Sequence, residues 1–388
     1  MKYVIAAVPF SDNLGDGVIA DNIKSFLHRH NCSDVEVCDI SYRSKVSTFK
    51  SKGSLMRFFV YLPRFIRQFF VLIFFSIKYF RTGKRYLYRK ISGRDQLLIG
   101  GGQLISDVDL NFPLKLYFLI KVAERFDVET RVVSVGVANK WSWLGKLMIK
   151  RVLKSRVVAN ISVRDELSKH NLREYFGIQN VHVLPDPALM SSLVGEYKCA
   201  GLVKSNTTVL GLGVANVEGL NYSSDIANSY GDNDAKYIAS IVRKSNEVGV
   251  SVSLFTNGAS EDEAYLHENV IPLLDSERLI YSCLSRSEVP GGLVKNIRQF
   301  DFVIAYRLHA NILAISFNIP SFAVGWDSKV VSFFEAQGRD GFVYKSLKSL
   351  DKNYNEILQA AQGARFLGAD LNKVEAGYIR FLGVDLAD

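Results

Sequence analysis

The sequence predicts a two-lobed α/β protein made of two parallel sheets in tandem, and three observations support this. At 388 residues the chain exceeds what one compact core usually organises, so two domains of about 150 to 200 residues each are expected. Short β-branched runs recur, each followed by Gly, Asn or Asp and then by residues of helical period. Near-continuous apolar strands alternating with helices belong to parallel sheets covered on both faces. Periodicity lapses once, in VLPDPALMSSLVGEYKCAGLVKSN (183–206), which carries two prolines. The linker is therefore expected at 186–205.

In the first half the expected strands are 3–8, 35–40, 96–99, 131–135, 157–163 and 181–184. Helical patterns cover 18–30, 114–126, 144–154 and 166–175. In the second half the strands are 208–212, 250–255, 279–281, 302–306 and 321–324, again with helices between. The division is an N-terminal Rossmann-like lobe (1–190), a C-terminal Rossmann-like lobe (205–370) and a C-terminal helix (371–388), the lobes facing a cleft.

Composition narrows the class. With 48% hydrophobic and 22% charged residues the chain is that of a soluble globular protein. Cys32, Cys38, Cys199 and Cys283 have neither metal spacing nor disulfide density, which suits a reducing compartment and calls for no metal. The opening MKYVIAAVPFSDNLGDG reads as a first strand rather than a signal peptide, so a cytoplasmic location is expected.

The net charge of +9 is local. Tyr42 to Arg94 holds fourteen Lys and Arg residues and no acid, which leaves 34 basic against 39 acidic residues elsewhere. Within it, RFFVYLPRFIRQFFVLIFFSIKYFRTGKRYLYRK (57–90) interleaves aromatics and aliphatics with Arg64, Arg67, Lys78, Arg81, Lys84 and Arg85. A membrane span needs about 20 largely uncharged residues, and the longest clean run, Phe69 to Ile77, is about half that. The segment at about 50–92 is therefore expected to lie on a membrane surface, with its cations near anionic headgroups. An ordinary domain helix with a basic outer face is the alternative. Nucleic acid is not the expected partner, because rows of Phe, Leu and Ile between the charges serve a bilayer better than a phosphate backbone.

In open α/β sheets ligands lie beyond the carboxyl ends of the strands, so the strand-to-helix junctions are where chemistry is sought. SDNLGDG (11–17) follows the first strand; Gly15 and Gly17 there permit close approach of a ligand to the free N–H groups of a helix start, which suits an anion, with Asn13 and Asp16 as neighbouring candidates and a tight turn capped by Asp16 as the alternative. LLIGGGQLISD follows the third; Gly101 and Gly102 let backbone approach either a ligand or the next element, and Asp107 is an acid with a path to the cleft or a loop cap. In NISVRDELSKHNL (160–172), Ser162 and Asp165 have capping-box spacing. Arg164 does not fit that role, since a cation at the positive end of a helix is misplaced unless an anion is present.

The fourth junction is the most informative. VIAYRLHANILAIS (303–316) reads as an apolar strand and an apolar helix, yet Arg307 and His309 stand at the turn between them. Buried charge without a partner costs several kcal/mol (roughly), so this turn is expected to face a ligand. Asp327 and Lys329, in GWDSKV, stand at the next such turn.

Taken in order, N-x-G-D (13–16), GGG (100–102), S-V-R-D (162–165), D-P (186–187), R-L-H (307–309) and D-x-K (327–329) resemble the polysaccharide pyruvyl transferase family over most of the chain. The basic aromatic segment lies outside the resemblance. The resemblance implies a GT-B-like fold and transfer of a pyruvyl ketal from phosphoenolpyruvate to two hydroxyls of a sugar, with no cofactor. By motif, the catalytic histidine falls on His309, and donor binding on Arg307, Leu308 and, less closely matched, Arg164, with Lys329 as a further cation. The expected acceptor is a bacterial surface polysaccharide or its lipid-linked precursor, which a protein peripheral to the inner membrane would meet there. Two other readings stay open: a glycosyltransferase using a nucleotide sugar, for which Glu335 is the only ribose-binding candidate, and a non-catalytic subunit of a glycan-assembly complex.

Overall fold

The computed structural model describes residues 1–45, 62–194, 207–217, 219–220, 234–363 and 369–384. The start of the basic aromatic segment (46–61), most of the expected linker with Cys199, and the last residues of the expected C-terminal helix (385–388) lie outside the described residues. The chain forms two compact units. One comprises Met1–Ser11, Ile19–Pro187 and Val374–Asp388; the other comprises Asp12–Val18 and Ala188–Lys373.

The first unit is built on β1 (Lys2–Ala7), β2 (Asp34–Asp39), β3 (Gln96–Gly100), β4 (Glu129–Val135), β5 (Val158–Val163) and β6 (His182–Val183). They form one parallel sheet in the order β2-β1-β3-β4-β5-β6. All five residues of β3 are buried, as a strand covered on both faces requires. The helices are α1 (Leu14–Arg29), α2 (Arg64–Lys78), α3 (Lys84–Ile91), α4 (Asn111–Phe126), α5 (Trp143–Leu153) and α6 (Glu166–Phe176), with a π turn, Tyr79–Gly83, joining α2 to α3. No helix among the described residues is long and apolar enough to cross a membrane.

The C-terminal helix Leu371–Leu382 belongs mainly with this unit. Tyr378 donates its hydroxyl to the Pro185 carbonyl at 2.6 Å, Arg131 donates to the Phe381 carbonyl at 2.9 Å, and Arg29 pairs with Glu375 at 3.2 Å. The expected linker is also shorter at its start than the prolines suggested. Pro187–Ser192 forms a 3₁₀ turn in which Ala188, Leu189 and Met190 are fully buried, and Ser316 donates to the Leu189 carbonyl at 2.8 Å. These apolar side chains are core of the second unit, so the boundary falls between Pro187 and Ala188.

The second unit holds β7 (Val209–Gly213), β8 (Ser251–Phe255), β9 (Ser282–Cys283), β10 (Phe302–Ala305), β11 (Ser321–Val324) and β12 (Val343–Tyr344), parallel in the order β12-β11-β10-β7-β8-β9. Its helices include α7 (Asp234–Glu247), α8 (Ser260–Tyr265), α9 (Ile271–Ser276), α10 (Pro290–Arg298), α11 (Leu308–Ser316) and α12 (Ser328–Ala336). The expected strand at 279–281 forms instead at Ser282–Cys283, and β12 gave no sequence signal. Both are two-residue edge strands, too short to show a period. Strand order reverses between β10 and β7, which makes the carboxyl ends of these strands the place where an open sheet of this kind holds its ligand.

Candidate active site

The β10–α11 junction lies at that reversal. All nine residues of α11 are buried. The turn is fixed by Asn311, which donates to the Ala305 and Arg307 carbonyls at 3.3 and 3.0 Å and accepts from Ser321 at 2.8 Å. From the next turn Trp326 donates its indole N–H to the Tyr306 carbonyl at 2.7 Å. The backbone on both sides of Arg307 is therefore held rigidly.

Arg307 is the N-cap residue of α11 in an extended conformation, its side chain unused as a cap. Its guanidinium points instead at Asp262 in α8, donating from Nε to Oδ2 and from Nη2 to Oδ1, both at 2.8 Å. Asp262 is fully buried, and its Oδ1 also accepts from the Asn216 backbone N–H at 2.9 Å. Residues following β7, β8 and β10 thus converge on one fork. Burial opposes the charge on Arg307, but Asp262, Glu261 and Asp16 outweigh it and hold the guanidinium firmly protonated. The bidentate pair uses Nε and Nη2, and Nη1 makes no hydrogen bond among the described residues. The side chain is 19% exposed and Nη2 also lies 3.6 Å from Glu261, so the pair leaves a planar, charged, pre-oriented group of the kind that suits an anion.

His309 follows in the first turn of α11 and is 6% exposed. Gly15, at the start of α1, is in contact with it: a Cβ placed on Gly15 would lie 2.2 Å from the His309 Cγ and 2.3 Å from Nδ1. Asn13 and Asp16 belong to the same Asp12–Val18 segment, where the Asp16 N–H donates to the Asn13 carbonyl at 3.1 Å and the Leu14 N–H to the Asn257 carbonyl at 3.0 Å. Asp16 lies within the first turn of α1 rather than capping it. The second unit thus gathers Arg307, Leu308, His309, Asn13, Gly15 and Asp16. Asp327 caps α12 by accepting from the Lys329 N–H at 3.0 Å, and the Lys329 ammonium sits 3.5 Å from Asp327 and 4.4 Å from the Trp326 ring centroid. Glu335 is exposed near the end of the same helix.

The remaining expected site residues lie in the first unit, where packing accounts for much of their placement. Gly101 has φ +68°, and a Cβ there would meet Ile19 at 1.9 Å. Gly102 has φ +66° and accepts at its carbonyl from the Gly136 N–H at 2.7 Å, so this glycine run carries the chain from β3 along β4. The acid with an expected path to the cleft, Asp107, is instead a structural clamp with a fully buried side chain. It accepts from the Ser142 N–H (2.7 Å), the Ser142 hydroxyl (2.5 Å) and the Leu110 N–H (2.9 Å), and pairs with Arg64 at 3.3 Å. The helix-start reading holds for Asp165 and not for Ser162. Asp165 is the N-cap of α6, accepting from the Ser168 N–H at 2.6 Å, while the Ser162 hydroxyl serves the sheet by accepting from the Ser134 N–H at 2.9 Å. The anion that Arg164 called for is its neighbour: Nε donates to Asp165 Oδ2 at 3.0 Å.

Asp262 was missed by sequence reasoning. Its only signal is the acidic run in SEDEAY after β8, which reads equally as ordinary helix-start acids. Among the described residues no three His, Cys, Asp or Glu side chains come together as a metal site requires.

Residues 13–328 match the family described as polysaccharide pyruvyl transferase. The chain belongs to that family. The match contains Arg307, His309, Gly15 and Asp262, and the transferase's fold is shared more widely. Over 99% of its length it resembles the UDP-GlcNAc 2-epimerase of Methanocaldococcus jannaschii (TM-score 0.54, 10% identity, 99% of that chain). It also resembles the Neisseria meningitidis UDP-GlcNAc 2-epimerase (0.53, 11% identity, 99% of this chain and 100% of that one) and the Staphylococcus aureus MnaA structure (0.54, 12%, 99% and 98%). At these identities the likeness shows the fold alone: two GT-B-like, Rossmann-like units. No curated protein matches the transferase in sequence.

Proposed function

We propose that the transferase moves a pyruvyl group from phosphoenolpyruvate onto two hydroxyls of a sugar in a bacterial surface polysaccharide or its lipid-linked precursor. The observation that carries this reading is the Arg307 fork, fixed by buried Asp262 and standing two residues from His309 at the first turn of α11. Arg307 takes the donor's carboxylate or phosphate through its outer edge, and the N–H groups at the start of α11 support the same anion.

The chemistry then balances through one acid–base residue. His309 protonates the donor's methylene carbon, which becomes the methyl group, and a sugar hydroxyl adds to the oxocarbenium-like carbon. His309 recovers a proton from that hydroxyl. Phosphate departs with the proton of the second hydroxyl as that oxygen closes the ketal. The donor's two anionic groups favour the imidazolium, so His309 is a competent acid in the donor complex, against the positive end of the helix.

Calorimetric titration with phosphoenolpyruvate, UDP and GDP tests the donor. Because Arg307→Ala alone leaves a buried carboxylate unpaired, Arg307→Ala/Asp262→Asn is measured beside it. Phosphoenolpyruvate binding by the wild type, lost in both variants, supports the reading. Binding of a nucleotide in its place moves the protein to nucleotide-sugar chemistry on the same fold. His309→Ala should lower turnover by about 10²- to 10⁴-fold, and unchanged turnover removes His309 from the mechanism.

A further inference from the structure

Helix α2 presents two faces of different character. Its inner face is bound to the first unit through the cations that the sequence suggested for lipid headgroups. Arg64 donates to the Asp107 carbonyl at 3.1 Å and pairs with its carboxylate, Arg67 pairs with Asp109 at 3.0 Å, and Lys78 donates to the Ser41 carbonyl at 2.8 Å. Phe75 lies under the Lys115 ammonium at 5.0 Å, and beyond the helix Tyr79 stacks on Phe118 with centroids 4.0 Å apart.

The outer face is apolar. Phe65, Phe69, Phe70, Ile73, Phe74 and Ile77 are between 41% and 71% exposed, and Phe80 in the π turn is 70% exposed. Their spacing by three and four residues makes one stripe along the helix. A contiguous apolar patch of this kind is uncommon on a soluble monomer and marks an interaction surface. Immediately after it, Arg81, Lys84, Arg85 and Arg89 are exposed and take no carboxylate partner among the described residues. No acidic residue occurs between Tyr42 and Arg94.

We propose that the outer face of α2 docks the protein onto the surface of an anionic lipid bilayer, the rings entering the acyl boundary and the cations from Arg81 to Arg89 meeting the headgroups. Charge selects this occupant. A second copy of the chain would bring the same unmatched cations against these, whereas anionic headgroups neutralise them. The inner ion pairs fix the helix before it meets lipid, so docking requires no folding step, and the helix lies along the surface rather than across the bilayer. This inference does not depend on the identity of the donor.

The test is co-sedimentation of the full chain, without substrate, with vesicles of phosphatidylcholine alone or mixed with phosphatidylglycerol. Sedimentation velocity without lipid runs in parallel. The wild type should sediment with the mixed vesicles and far less with the neutral ones. Phe69→Ser/Phe74→Ser and Arg81→Glu/Arg85→Glu should each lower the bound fraction at least about tenfold. An unchanged melting temperature and unchanged circular dichroism show that these variants fold. Absence of wild-type binding to mixed vesicles, or equal binding by the Phe69→Ser/Phe74→Ser variant, overturns the proposal. So does self-association that this variant abolishes, which would make the face an interface between copies.

Discussion

The ring of His309 occupies the space into which Gly15 would project a side chain, the Cβ position lying within 2.4 Å of three imidazole-side atoms. In an open helix Gly→Ala gains up to about 1 kcal/mol. Here the added methyl collides with a buried ring in a wholly buried helix, and overpacking of that kind costs about 1–3 kcal/mol. Gly15→Ala should therefore lower the melting temperature and, by turning the imidazole, reduce pyruvyl transfer by more than about tenfold. Thermal denaturation with a turnover assay checks both; an equally stable, equally active variant would show that the ring moves aside freely.

Asp262 is expected to stabilise the fold chiefly as the partner of Arg307, with a smaller share from the hydrogen bond it accepts from the Asn216 N–H. Removing one member of a buried ion pair costs about 3–5 kcal/mol, whereas replacing both members by apolar groups is often neutral. Asp262→Ala should be strongly destabilised in urea unfolding, and Asp262→Ala/Arg307→Met should recover most of the loss without recovering phosphoenolpyruvate binding. A double variant as unstable as the single one would deny the pairing its structural role, and a double variant that still binds the donor would deny Arg307 its functional one.

The β10–α11 junction was legible because two charged residues interrupt an apolar run, and local sequence records such a conflict directly. Its partner was not: Asp262 lies 45 positions away and sits among acids that any helix start could carry. Arg164 and Asp107 show the reverse error. Arg164 looked out of place at its helix start and Asp107 looked free to reach the cleft or cap a loop, yet Arg164 pairs with the adjacent Asp165, and Asp107 collects donors from Ser142, 35 residues on. Gly136 completes the Arg164 arrangement, since a Cβ there would meet the guanidinium carbon at 2.7 Å. The sheet order depends on crossovers that no periodicity encodes, and β9 and β12, edge strands of two residues, leave too little pattern to read.

Lys115 supplies a pH-dependent test of packing beside α2. Its ammonium is buried in α4, 5.0 Å from the Phe75 ring centroid and 5.1 Å from that of Phe112. Burial first, then the nearby cations Arg43 and Lys78, lower its pKa to about 7 against the pull of Asp39. The folded protein therefore releases this proton as pH rises past about 7, while the unfolded chain keeps it to about 10.4. The unfolded state binds more protons in that window, so the lysine's contribution improves as pH rises through it, and the full penalty applies below about 7. Lys115→Met abolishes the penalty but loses ring contacts that offset part of it. The variant should be more stable than wild type by roughly 1–3 kcal/mol near pH 7. That advantage should shrink by up to about 1.4 kcal/mol per pH unit toward pH 10. Urea unfolding of both proteins across this range decides the matter. A pH-independent difference, or a methionine variant less stable near pH 7, would mean that the two rings and Asp39 hold Lys115 charged in the folded state.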